Sequence, residues 1–84
     1  MANVVIYTKE HCPYCLMAKE LLSSRQVTYT EIRIDLDEDK LEEMIRLSNR
    51  RTVPQIFING QSIGGYDDLA TLAKSGKLNA LLEA

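Results

Sequence analysis

Two cysteines three positions apart, Cys12 and Cys15, are the residues of this 84-residue sequence best suited to chemistry. A disulfide between them closes a very small loop, so it would remove little entropy from the unfolded chain. A purely structural bridge is therefore a poor explanation, and redox chemistry is a better one. A structural zinc site needs four ligands, whereas the chain adds only one histidine, His11, to the two cysteines. A metal cluster shared between two chains stays open as an alternative.

The residues around the pair favour an activated thiolate at Cys12. Val4-Val5-Ile6-Tyr7 is typical of a short buried strand, and Pro13 suits the first turn of a helix, where its missing N–H costs nothing. Cys12 would then lie where unpaired backbone N–H groups favour a negative charge. We expect the pKa of the Cys12 thiol to fall below its free value of about 8.5. Cys15, one turn further along, is placed to resolve a mixed disulfide formed on Cys12.

The elements that must position this pair follow from hydrophobic patterns and turn residues. The predicted elements are a strand over 4–7, a helix over 13–24, a strand from Val27 to Ile34, a helix starting at Asp37–Asp39, strands over 55–58 and 61–63, a helix capped by Asp67, and a last helical turn or two around Leu78–Leu82. Asn59-Gly60 is a strong hairpin signal, because both central residues of a type I′ turn need positive φ. The first βαβ unit should pair its strands in parallel. The sequence thus predicts one α/β domain over 1–84, with a four-stranded mixed sheet and helices on both faces.

Bulk composition excludes some classes of partner. The formal charge of −2 and the isoelectric point of about 5.3 give no electrostatic support for nucleic-acid binding. No apolar run approaches the roughly 20 residues that span a bilayer, and the first residues lack the basic and apolar regions of a signal peptide. We therefore expect a cytoplasmic monomer that binds neither nucleic acid nor membrane.

Three separate motifs resemble the dithiol glutaredoxins, in particular the small bacterial glutaredoxin 3 type, from Val4 to about Leu82. The motifs are Cys12-Pro13-Tyr14-Cys15, Thr52-Val53-Pro54 and Gly64-Gly65-Tyr66-Asp67-Asp68. The resemblance implies a thioredoxin-like fold, no permanently bound cofactor or metal, and glutathione as the reducing co-substrate. It also implies disulfide-containing or glutathionylated proteins as substrates. A redoxin reduced by thioredoxin reductase, and a dimer that carries an iron–sulfur cluster or another metal, are the alternatives.

The resemblance further implies a glutathione site. Pro54 matches the family's cis-proline, Val53 would offer its backbone to the cysteinyl part of glutathione, and Thr52 would flank this contact. The helix start at Gly65 and Tyr66 suits the γ-glutamyl carboxylate. The implied glutathione-binding residues are Lys9, Tyr14, Thr52, Val53, Pro54, Gly65, Tyr66, Asp67 and Asp68.

Within this implied site some roles stay open. Asp68, in preference to Asp67, suits the ammonium group of glutathione, although both residues also suit a helix cap. Lys9 is the expected partner of the glycyl carboxylate, with Arg50 or Arg51 as further candidates. Tyr14 either forms a wall of the groove or lies on the buried face of its helix together with Ala18, Leu21 and Leu22.

The sequence departs from the family pattern at His11, Leu16, Met17 and Tyr66. His11 either is a plain exposed loop residue or tunes Cys12 through its charge. Leu16 and Met17 either form an apolar patch that docks protein substrates or are ordinary helix surface and core residues. The core chemistry is not affected, but the redox poise and the choice of protein partner are left undecided.

Overall fold

Four strands and four helices make up residues 2–83, the part of the chain that the computed structural model describes. In chain order they are β1 (Val4–Thr8), α1 (Pro13–Ser24), β2 (Thr30–Arg33), α2 (Glu38–Ser48), β3 (Gln55–Ile58), β4 (Gln61–Gly64), α3 (Tyr66–Ser75) and α4 (Lys77–Glu83). The predicted order is confirmed, and the last helical turns form a separate helix, α4. Within residues 2–83, no helix combines the length and the apolar character that crossing a membrane requires.

The strands form one mixed sheet in the order β2-β1-β3-β4. β1 pairs in parallel with β2 and antiparallel with β3, so that Ile6 lies opposite both Glu31 and Ile56. β3 and β4 form the predicted hairpin, and Asn59 and Gly60 have the positive φ values of 52° and 82° that its turn needs. This topology brings the end of β1 and the start of β3 to the same edge of the sheet.

Helices cover both faces of the sheet, as predicted. Alternate residues of β1 point to opposite faces, so Ile6 packs with Leu22 and Leu69 on the side of α1, α3 and α4. Tyr7 packs instead with Met44 and Phe57 on the side of α2. Burying one such side chain contributes roughly 1.5–3 kcal/mol. The two apolar layers therefore hold β1 firmly at the point where the chain enters the cysteine loop.

The bounds of two predicted strands are corrected. β2 spans Thr30–Arg33 rather than Val27 to Ile34, because only 30–33 are in register with β1. The Val27 N–H instead donates to Leu22 O at 2.9 Å, at the end of α1. Thr8, predicted as loop, belongs to β1 and pairs with Arg33. Strand pairing, which single-sequence patterns do not reveal, sets these boundaries.

One open alternative for a helix residue is decided, and one helix prediction needs correction. The buried face of α1 consists of Cys15, Ala18 and Leu22, and Tyr14, with 57% of its surface exposed, lies outside it. The cap of α3 is Gly65 rather than Asp67. The helix starts earlier than predicted because the carboxylate of Asp68 accepts the Gly65 N–H at 2.9 Å.

Candidate active site

Cys12 is the N-cap residue of α1, as the sequence predicts. Its backbone is extended, with φ −116° and ψ 100°, and Pro13 occupies the first turn of the helix. The Cys15 N–H donates to Cys12 Sγ at 3.2 Å. The sulfur thus takes the place that a capping side-chain oxygen occupies in other helices. A negative charge on this sulfur would be stabilised by the N–H group and by the helix dipole.

The two cysteines form a disulfide, and their Cα atoms are 5.2 Å apart. Cys15 is almost fully buried, with 2% of its surface exposed, whereas Cys12 is partly exposed. A substrate can therefore reach the sulfur of Cys12 but not that of Cys15. This difference in exposure suits Cys12 as the nucleophile and Cys15 as the resolving thiol.

The segment before β3 lies beside the exposed sulfur. Cys12 Sγ is 3.9 Å from the backbone oxygen of Val53, a plain contact because a disulfide sulfur carries no proton. The peptide bond between Val53 and Pro54 is cis, as the family resemblance implies. The backbone of Val53 is thus within reach of any group attached to Cys12.

A groove of about 300 Å³ runs from this segment to the start of α3. It brings together every residue of the implied glutathione site except Lys9. The groove is lined by Tyr14, Arg50, Thr52, Val53, Pro54, Gly65, Tyr66, Asp67 and Asp68. Lys9 lines a neighbouring depression with Cys12 and Arg51. The structure therefore separates the two arginines that the sequence left undecided, with Arg50 in the groove and Arg51 beside Lys9.

The start of α3 gives the groove its charge. Asp68 Oδ2 accepts the Gly65 N–H and lies 3.3 Å from Arg50 Nη1, and both charged side chains are about half exposed. Gly64 makes this arrangement possible, because its φ is +113° and a Cβ there would overlap the Asp68 carboxylate. The groove thus offers a paired anionic and cationic group next to a helix N-terminus.

Two tyrosines form an aromatic wall of the groove. The ring centroids of Tyr14 and Tyr66 are 6.0 Å apart, with an angle of 38° between the ring planes. Of the two alternatives for Tyr14, the groove wall is thus correct and the core position is wrong. Tyr66, one of the four departures from the family pattern, is part of the same wall.

A polar cluster that the sequence analysis missed lies on the other side of the disulfide. The buried hydroxyl of Thr8 donates to Glu31 Oε2 at 2.7 Å, and Lys19 Nζ donates to the same oxygen at 3.0 Å. The Thr8 hydrogen bond, more than the Lys19 contact, holds the pKa of Glu31 below its ordinary value despite partial burial. Lys19 and Glu31 line a depression together with Cys15, and Thr8 is fully buried. Nothing in the local sequence of β1, α1 or β2 signals a contact between them.

A second ionic contact fixes the loop that precedes Cys12. Asp35 Oδ2 accepts the backbone N–H of Glu10 at 3.1 Å, while the Arg33 guanidinium donates to both Asp35 oxygens at 2.7 and 2.6 Å. The Arg33 hydrogen bonds hold the pKa of Asp35 far below its usual range. The Asp35 carboxylate therefore stays charged at physiological pH and keeps its hydrogen bond to the Glu10 N–H of the loop.

The remaining departures from the family pattern lie on the surface. His11 is exposed, has a φ of +58°, and lies 3.8 Å from Glu10. Leu16 and Met17 are 54% and 42% exposed, so they are surface residues rather than core residues.

Within residues 2–83, no three His, Cys, Asp or Glu side chains come close enough together to hold a metal ion.

Comparisons with known proteins agree on one family. A sequence model described as glutaredoxin matches residues 4–63. Glutaredoxin 3 of Escherichia coli K12 is 59% identical over 83 residues, which cover 99% of this chain and 100% of that protein. The solution structure of glutaredoxin from Brucella melitensis matches with a TM-score of 0.86 at 44% identity, over 98% of this chain and 89% of that one. A buckwheat glutaredoxin in complex with glutathione matches with a TM-score of 0.88 at 30% identity, over 98% and 77% of the two chains.

Proposed function

The chain belongs to the glutaredoxin family and is a thiol–disulfide oxidoreductase with the thioredoxin-like fold, and we propose that glutathione is its reductant. The proposed substrates are protein disulfides and mixed disulfides between proteins and glutathione. One observation carries the proposal: a groove with complementary charges is lined by Val53, whose backbone oxygen lies 3.9 Å from the partly exposed sulfur of Cys12. In the proposed cycle Cys12 is the nucleophile and Cys15 is the resolving thiol.

The reduction of a protein disulfide uses both cysteines. The Cys12 thiolate attacks one substrate sulfur, a mixed disulfide forms, and the other substrate sulfur leaves as a thiolate that takes up a proton. Cys15 then loses its proton and attacks the Cys12 sulfur, which releases the second substrate thiol and leaves the Cys12–Cys15 disulfide. Two glutathione molecules return this disulfide to two thiols and become glutathione disulfide. The short distance between the two Cα atoms, 5.2 Å, suits the internal attack.

The reduction of a glutathione mixed disulfide needs Cys12 alone. The thiolate attacks the glutathione sulfur, so the protein thiol leaves and glutathione stays bound through Cys12. A second glutathione thiolate then attacks this mixed disulfide, forms glutathione disulfide and frees the Cys12 thiolate. Cys15 is not consumed in either step. We therefore expect a Cys15→Ser protein to keep this activity.

The groove offers a partner for each polar end of glutathione. Val53, whose backbone lies beside Cys12, suits the peptide groups of the cysteinyl residue. The start of α3 suits the γ-glutamyl carboxylate, and the Asp68 carboxylate suits the adjacent ammonium group. Lys9 and Arg51, which line the neighbouring depression together with Cys12, suit the glycyl carboxylate. Arg50 is then an additional positive group at the γ-glutamyl end.

A coupled assay on a small glutathione mixed disulfide tests the proposal. Wild-type protein should turn over with glutathione, glutathione reductase and NADPH, the Cys12→Ser protein should be inactive, and the Cys15→Ser protein should stay active. Thioredoxin reductase in place of glutathione and its reductase is the matched control. Activity of the Cys12→Ser protein, or faster turnover with thioredoxin reductase than with glutathione, would contradict the proposal.

We further propose that the protein works in the cytoplasm as a monomer, without a resident metal. The exposed Leu16 and Met17 next to the active-site disulfide are then available to contact protein substrates. Sedimentation of the reduced protein, purified without oxygen, tests the proposed monomeric, metal-free state. A dimer with bound iron or zinc would contradict it.

A further inference from the structure

Gln55, the first residue of β3, is fully buried, although a glutamine has two polar groups to satisfy. Its side chain lies on the α2 face of the sheet, opposite Tyr7 in the strand register. Its Nε2 atom donates to the carbonyl oxygen of Thr52 at 3.0 Å and to the Thr52 hydroxyl at 3.3 Å. Gln55 thus binds the residue that begins the Thr52-Val53-Pro54 segment of the groove.

The carbonyl of Thr52 and the N–H of Val53 belong to the same peptide plane. In a trans peptide these two groups point in opposite directions, and the cis bond in this segment is the following one, between Val53 and Pro54. When Gln55 holds the Thr52 oxygen toward the protein interior, the Val53 N–H must point outward. Val53 lines the groove, and its N–H has no hydrogen-bond partner within residues 2–83. A free donor is therefore fixed in position beside the active-site sulfur.

The second polar atom of the side chain supports a functional reason for this contact. Gln55 Oε1 is buried and has no hydrogen-bond partner among the described residues. The reverse orientation of the amide would place this oxygen against the Thr52 carbonyl, where two acceptors repel each other. A buried unsatisfied acceptor destabilises a fold, whereas methionine would fill a similar volume without that cost. Residues that work against stability in this way are typical of functional sites.

We propose that Gln55 is a positioning residue that fixes the Val53 N–H for the peptide backbone of glutathione. This inference rests on the proposed use of glutathione. Without Gln55 the peptide plane between Thr52 and Val53 is free to rotate, and glutathione must order it on binding. One net hydrogen bond then predicts glutathione contacts that are weaker by roughly three- to ten-fold. The chemistry of Cys12 itself should not change, because Gln55 does not touch the sulfur.

The test compares two mixed disulfides on Cys12 in a Cys15→Ser protein. In one buffer Cys12 exchanges with glutathione disulfide and releases glutathione, and in the other it exchanges with the disulfide of 2-mercaptoethanol and releases mercaptoethanol. Only the first product can use the groove. The ratio of the two equilibrium constants therefore isolates the contacts that glutathione makes, and mass spectrometry of the quenched protein measures both.

Adding Gln55→Met should lower the glutathione constant roughly three- to ten-fold and leave the mercaptoethanol constant within about two-fold. Gln61→Met, at an exposed glutamine of β4, is the matched control and should change neither constant. Gln55→Glu is the second variant, in case the first does not fold. A protonated buried carboxyl can still donate to Thr52, so this variant should keep the preference for glutathione at low pH and lose it as the carboxyl ionises.

Each other outcome overturns a distinct claim. If the Gln55→Met protein keeps the preference of its parent, or if both constants fall together, the positioning role is wrong while the use of glutathione stands. If the parent protein itself shows no preference for glutathione over mercaptoethanol, the groove does not bind glutathione and the proposed function fails first.

Discussion

Asp68→Asn is the substitution that examines the proposed glutathione groove most closely. The asparagine oxygen can still accept the Gly65 N–H that Asp68 accepts at 2.9 Å, so the start of α3 should be kept. What is lost is the negative charge that would face the ammonium group of glutathione. In the free protein the same change removes only a half-exposed contact with Arg50, which contributes about 0–1 kcal/mol.

The size of the effect follows from the exposure of the carboxylate. A hydrogen bond to a charged group contributes about 1.5–3 kcal/mol, and Asp68, with 48% of its side chain exposed, belongs at the lower end of that range. We therefore expect KM for a glutathione mixed disulfide to rise about ten-fold. The value of kcat should change little, because Asp68 does not contact the disulfide.

Asp67→Asn is the control, because it removes the same charge from the same turn of α3. Asp67 accepts no side-chain hydrogen bond from within residues 2–83, whereas Asp68 accepts two. Steady-state kinetics with the glutathione-coupled assay measures both variants, and thermal unfolding confirms that both stay folded. Equal KM values for the two variants would refute the assignment of the ammonium site to Asp68.

Three further predictions concern the structure around the site. Thr8→Val should lower the free energy of unfolding by about 1.5–3 kcal/mol at neutral pH. Since the pKa of Glu31 is lowered in the folded state, the difference between the two proteins in urea titrations should shrink at acidic pH. A difference that does not change with pH would contradict the hydrogen bond from Thr8 to the Glu31 carboxylate. Burial, aided by a carboxylate hydrogen bond, raises the pKa of Tyr7 from 10.0 to about 12, so stability present below pH 10 should fall by roughly 2–3 kcal/mol as the pH rises through 12. Tyr7→Phe should remove this loss of stability at alkaline pH. If the free energy of unfolding fell equally steeply with pH in both proteins, the role of Tyr7 would be refuted. Gly64→Ala should lower the free energy of unfolding by about 1–3 kcal/mol and weaken glutathione binding. The control is Gly60→Ala, at a position with a positive φ but open space around an added Cβ, which should leave glutathione binding unchanged. Equal effects of the two variants on binding would argue against the overlap at Gly64.

Local signals account for what the sequence predicted well. Pro13 and the following apolar pattern set α1 at its observed bounds, and Asn59-Gly60 set the hairpin, because both depend on the conformation of a few adjacent residues. Contacts between distant segments account for the errors. The start of β2 depends on its pairing with β1. A distant contact, that of Tyr14 with Tyr66, also decides between the two positions that the spacing of Tyr14 from Ala18 left open.

The same distinction applies to the site. The two cysteines could be placed at a helix start from residue types alone, and the family resemblance indicated the residues that the structure brings into one groove. The sequence could not decide between Arg50 and Arg51. They are adjacent residues after the end of α2, and the path of the chain there determines which of them lines the groove. Gln55 was invisible as well, because in the sequence it is an ordinary first residue of a strand.

The pKa of the Cys12 thiol is the measurement that tests the central claim most directly. In a reduced Cys15→Ser protein, the ultraviolet absorbance of the thiolate can be followed against pH without interference from a second thiol. A sulfur that caps α1 and accepts the N–H of residue 15 should ionise at least about one pH unit below the free value of about 8.5. A pKa at or above that of free cysteine would contradict the thiolate mechanism.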